Sequence, residues 1–253
     1  MLRPNGSNIE FGVKTPVQRG KRWCVCIRYI TMKKKKYLNE IKKENYALAL
    51  TLIDQELAEN PDDPELLYNF AICCSRTGNH KKCVSILKTL VEKVGRFIER
   101  DNVFRLIIFS LIQMHEYNEA LEMTDDRLRV NIGDLKLLSF RAHIMEKLNR
   151  IDEAIQIHKN ILKLSPGYIN SLNSAGYLIA MKKNPTQEEI AEATDFLKEA
   201  VKQNPDNAAY LDSFGVLLNK RGQKQAAIKA FNKAIAANPA HSGVILDHLQ
   251  SLL

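Results

Sequence analysis

The sequence predicts an all-α solenoid of about six antiparallel helix pairs closed by a C-terminal capping helix, and three observations predict it. Small residues recur with a nearly fixed period: Ala49, Cys83, Ala120, Ala154, Ala193 and Ala227 lie 34, 37, 34, 39 and 34 residues apart. Each sits in a stretch of helical apolar period that follows another such stretch. The 253 residues contain only 11 Gly and 8 Pro, too few for an all-β chain of tight turns. A lone helix hairpin cannot bury its apolar face, so a repeat of this length builds its core by stacking.

Residues 1–31 are expected to be a disordered basic tail, 32–239 the solenoid and 240–253 the cap. The tail holds Pro4, Gly6, Gly12, Pro16 and Gly20 with no helical period. Residues 1–36 carry ten Lys/Arg against Glu10 alone, whereas the remainder carries 27 basic and 28 acidic groups. The formal net charge of +8 is therefore a terminal property. Three readings of the tail stand: the run Arg19 to Arg22 beside Trp23 touches nucleic acid or an anionic membrane, the tail is solvated and inert, or translation starts at Met32. The last would leave a formal charge of +3.

The first pair is lysine-rich, with Tyr37 in the small slot of its first helix, Tyr46 ahead of its second and Pro61 at its end. In the second pair Ala71 and Cys83 are the small residues, and Gly95 stands where Pro would close it. The third has Ile108, Tyr117 and Ala120, with Ile132 at its end; its three extra residues are expected near Gly95 to Asp101. The fourth has Ala142, Ala154 and Pro166, and the fifth Gly176, Ala193 and Pro205. Five extra residues fall around Lys183 to Gln187, where Thr186 and Glu189 form a capping box that restarts a helix. In the sixth, Gly215 and Ala227 let two backbones approach while Leu218 and Phe231 fill the gaps, with a turn at Gly222 and Pro239 at the end. After it, Val244, Ile245, His248, Leu249 and Leu252 share a helical face suited to cover the last repeat.

From about Lys33 to Pro239 these slots resemble the tetratricopeptide repeat family, and the phrase Asn207 to Gly222 looks like its bacterial members. The resemblance implies a right-handed superhelix and a non-enzymatic scaffold, adaptor or co-chaperone that takes a protein or peptide ligand in its concave groove. The alternative it leaves open is a regulatory or substrate-docking subunit of a larger enzyme or secretion assembly. First helices line the groove in this family. That puts Tyr68, Asn69 and Ile72 there from the second repeat, Asn102, Arg105, Leu106 and Phe109 from the third, and Lys136, Phe140 and His143 from the fourth. The fifth contributes Asn170, Asn173, Ser174 and Tyr177, and the sixth Ala209, Asp212, Ser213 and Asn219. The family's carboxylate clamp for acidic C-terminal tails is matched only by Lys34 and Asn69, since Leu38, Asn102 and Leu106 fill its other positions. Its asparagine ladder fails as well, with Lys35, Asn69, Leu106, Phe140, Ser174 and Ser213 in the equivalent slots. What remains is a groove whose apolar middle, Leu106, Phe109 and Phe140, suits a segment with apolar anchors. In the competing reading, Phe109 and Phe140 pack between repeats.

Catalytic chemistry is not expected. Cys74 and Cys83 read as small core residues, and Cys24 and Cys26 have no Cys/His pair at zinc spacing. The six His are scattered, with His80 and His115 in turns, and no phosphate loop, dinucleotide fingerprint or nucleophile elbow occurs. No cofactor, metal or small-molecule substrate is expected. The best early apolar run, Trp23 to Ile27, is too short for a secretory signal, and no stretch of about 18 apolar residues could span a membrane. A cytoplasmic location is the expectation.

Overall fold

The computed structural model describes residues 35–93 and 100–252, and these residues form thirteen α-helices. The first twelve pair in order: α1 (Lys36–Lys42) with α2 (Tyr46–Glu59), α3 (Pro64–Arg76) with α4 (His80–Lys93), and α5 (Arg100–Gln113) with α6 (Tyr117–Val130). Then follow α7 (Leu135–Lys147) with α8 (Ile151–Leu164), α9 (Ile169–Met181) with α10 (Gln187–Gln203), and α11 (Ala208–Lys220) with α12 (Lys224–Ala237). A tight 3-10 turn at Pro239–His241 leads to α13 (Gly243–Gln250), which packs on α12. The expected tail over 1–31, with Arg19 to Arg22, Cys24 and Cys26, lies outside the described residues, as do Met32 and residues 94–99 of the first insertion.

One turn motif recurs within the pairs. Glu44, Gly78, His115, Asn149 and Gly222 each stand two residues before a second helix with positive φ, between 59° and 80°. The residue after each donates its N–H five residues back, as in Asn79 to Cys74, Glu116 to Leu111 and Gln223 to Leu218. This is the Schellman ending of a helix, which needs a left-handed residue; Gly78 and Gly222 adopt that conformation without steric cost, whereas Glu44 and His115 are held in it by the two hydrogen bonds. The fifth pair lacks the motif. There α9 stops at Met181 and Thr186 restarts α10, its side chain accepting from Glu189 N while Glu189 reaches back to Thr186 N. Lys182 Nζ ties this insertion to Asp152 at 2.8 Å and Glu189 at 2.7 Å.

Second helices end alike. Asn60, Asn131, Ser165, Asn204 and Asn238 have φ between −134° and −146°. Four of them precede Pro, which disfavours helix at the residue before it. Asn131 takes the same conformation before Ile132, so the missing Pro of the third repeat does not alter the ending. Three first helices, α3, α7 and α11, start on side-chain caps: Asp63, Asp134 and Asn207 each accept from the backbone N–H groups of the opening turn.

The small slots are where helices meet most closely. A methyl group added at Gly176 would lie 2.5 Å from Leu197 Cγ. Ala49, Ala71, Cys83, Ala120, Ala142, Ala154, Ala193 and Ala227 are wholly or almost wholly buried, as are the larger Tyr37 and Ile108 in their slots. Some successive first helices also touch, α3 with α5, α5 with α7 and α9 with α11, and they form a wall along one side of the pairs. At the C-terminal cap Ile245 and Leu252 are buried, but Val244 is 64% exposed because it falls in the opening turn of a short helix, facing away from α12.

Candidate functional site

An open cavity of about 210 Å3 lies between the first helices α7, α9 and α11. It is lined by Glu146 from α7, Asn173, Ser174, Tyr177 and Leu178 from α9, and Ala209, Asp212 and Ser213 from α11. Helical spacing brings these together: Asn173, Ser174 and Tyr177 share one face of α9, and Ala209, Asp212 and Ser213 share one face of α11. Asp212 Oδ1 accepts from His248 Nδ1 of the cap at 2.9 Å, which fixes the carboxylate. Glu146 lies 3.9 Å from His143 Nδ1 and 3.8 Å from Lys147 Nζ. Burial, reinforced by the negative charge of Asp212 and Glu146, raises the pKa of the Tyr177 phenol. Burial pushes the His143 imidazole the other way, toward its neutral form, against the pull of Glu146.

Of the residues expected in the groove, Asn173, Ser174, Tyr177, Ala209, Asp212 and Ser213 thus converge, with His143 beside them through Glu146. Asn170 is exposed and accepts a hydrogen bond from Tyr210 Oη at 3.2 Å. The N-terminal candidates do not join this cavity. Arg105 is engaged inside the protein, donating to Asn102 at 2.9 Å and to Asp134 at 2.5 Å. Burial alone would raise the Asp134 carboxyl, but the Arg105 guanidinium and the N–H groups of Leu137 and Lys136 hold it below its ordinary value. Phe109 is 38% exposed and meets the His80 ring edge-on at 6.0 Å, whereas Phe140 is half-buried against the N-terminal core. Asn69 donates to Glu65 O one turn earlier, Tyr68 is half-buried and Lys136 is exposed. The sequence reading missed Glu146. It extends the stripe Lys136, Phe140, His143 by one more turn, and that spacing was the available signal.

Among the described residues, the cysteines carry no reactive signature. Cys73, Cys74 and Cys83 are buried free thiols, and burial pushes Cys73 up to about 11. Among the described residues no group of three His, Cys, Asp or Glu could hold a metal ion, and no helix is long and apolar enough to cross a membrane.

Two family profiles, both described as tetratricopeptide repeat, match residues 40–96 and 186–242. The paired helices between and beside them continue the same pattern, and tetratricopeptide repeat proteins generally mediate protein–protein interactions. It is 26% identical over 132 residues to the TPR repeat-containing protein PA4667 of Pseudomonas aeruginosa, covering 52% of this chain and 22% of that protein. It is 29% identical over 100 residues to a probable UDP-N-acetylglucosamine–peptide N-acetylglucosaminyltransferase SPINDLY of Petunia hybrida, covering 40% of this chain and 10% of that one. The chain thus spans under a quarter of either relative. Among solved structures, a tetratricopeptide repeat protein of Parabacteroides merdae superposes with TM-score 0.61 at 16% identity, over 75% of this chain and 72% of that one. YrrB, described as a TPR protein with an unusual peptide-binding site, superposes with TM-score 0.53 at 18% identity, over 79% and 97%. At these identities the likeness is one of fold.

Proposed function

We propose that the chain is a non-enzymatic scaffold or adaptor of the cytoplasm that binds an extended or helical partner segment along the wall of α7, α9 and α11. Residues 32–239 are its repeat array and 240–253 its cap. The observation that carries this reading is the cavity at Tyr177, where three successive first helices present one amide, hydroxyls and two carboxylates around one aromatic ring. Such a mixture satisfies a partner's backbone and side-chain polar groups while the ring supplies contact area. The peptide-binding site described for YrrB supports the same use of the fold.

A second reading makes the chain a regulatory or substrate-docking subunit of a larger enzyme or assembly. It is favoured by the match to one tenth of a transferase's length. Both readings place a partner on the wall. Affinity purification with Tyr177→Ala and Asn173→Arg tests this: the partner is lost while the melting temperature holds. A partner retained by both variants, and lost on changing the exposed Val130 and Ile132 to Ser, would move binding to another surface.

A further inference from the structure

We propose that the cavity beside Tyr177 receives one cationic side chain, lysine or arginine, of a partner segment. This rests on the reading that the wall of α7, α9 and α11 binds such a segment, and it names the chemistry recognised there. The cavity holds acceptors from two carboxylates and an amide beside the hydroxyls of Ser174 and Tyr177 and the amide N–H groups of Asn173. Asn173 Oδ1 is buried with no hydrogen-bond partner. The contacts of Glu146 to His143 and Lys147 are longer than hydrogen bonds, so both carboxylate oxygens can accept. Asp212 engages His248 through Oδ1, and Oδ2 has no described hydrogen bond. A buried acceptor without a donor is costly, and a ligand that brings donors relieves the cost.

Ammonium and guanidinium groups bring three and five donors and no acceptor, whereas a carboxylate would add acceptors to acceptors. Charge agrees with this choice. Glu146 and Asp212 lie on either side of Tyr177, and both act on its phenol. The nearby cation Lys147 lies 3.8 Å from Glu146, and the imidazoles of His143 and His248 each lie beside a carboxylate. The face of the Tyr177 ring is a further favourable surface for a cation. With about 210 Å3, the open cavity has room for one side chain.

Panning a library of N-acetylated, C-amidated decapeptides against the full chain tests the proposal. Lysine or arginine should dominate one position of the selected peptides. Replacing it with glutamine should weaken binding about tenfold, as should Glu146→Gln or Asn173→Ala in the protein, while the exposed Lys229→Gln changes nothing. The melting temperature of each variant and a fall in affinity with salt accompany the measurement, so a folding defect is separated from a lost contact. Acidic or apolar residues at that position, in peptides that still need Tyr177, overturn the cation site and leave the wall as a binding surface. Peptides indifferent to Tyr177→Ala and Asn173→Ala, or no selected peptide at all, overturn both.

Discussion

Gly215 lies so close to the ring of Phe231 that a methyl group on it would sit 2.5 Å from Cε1 and 2.7 Å from Cδ1. Phe231 is 1% exposed, so its ring has little space to retreat. Within the sixth pair this contact sets how closely α11 and α12 approach, and Gly176 with Leu197 does the same in the fifth.

Gly215→Ala should therefore destabilise the protein by about 1–2 kcal/mol, because overpacking outweighs the roughly 1 kcal/mol that alanine gains in a helix interior. Adding Phe231→Leu should return part of the loss. Urea titrations of both single variants and the double variant measure the coupling, and simple additivity would mean that the contact is not the cause.

His158 supplies a pH dependence. It is 6% exposed, and its Nδ1 lies 3.0 Å from Ser171 Oγ, across the α8–α9 packing. Burial, with a smaller contribution from His143, lowers its pKa from 6.5 to about 4. The unfolded chain thus binds the proton more readily than the folded one, so this stability is complete above about pH 6.5 and is lost as pH falls toward 4. The loss should reach about 3 kcal/mol. His158→Gln should flatten the urea midpoint over that window, and an unchanged slope would place the titration elsewhere.

Asp134 caps α7 and holds Arg105 of α5. Arg105→Ala removes the ion pair and the hydrogen bond to Asn102 but leaves the cap, and should cost about 1 kcal/mol. Asp134→Ala also exposes the N–H groups of Lys136 and Leu137 and should cost about 2–3 kcal/mol. Equal costs in chemical denaturation would show that the cap contributes nothing.

These cases also show what a single sequence reveals. The close approaches at Gly176 and Gly215 were legible because one residue type, repeated in register, meets a steric demand local to each pair. The capping box at Thr186 and Glu189 was legible because both partners lie within one turn. The left-handed turns at Glu44 and His115 were not, since neither residue favours that conformation and backbone hydrogen bonds impose it. Arg105 read as a groove residue because its partner, Asp134, lies 29 residues on. The cavity at Tyr177 depends on how α7, α9 and α11 are placed relative to one another, which no periodicity within one helix encodes.

The central claim is that partners engage the wall of α7, α9 and α11. Its most direct measurement places a photo-crosslinking amino acid at Ala209, which lines the cavity, or at Gln156, exposed on α8, in the full chain expressed in its native cell. Illumination should yield one discrete adduct from Ala209, abolished by Tyr177→Ala, and none from Gln156. Adducts from Gln156 alone, or from both positions regardless of Tyr177, would contradict the account.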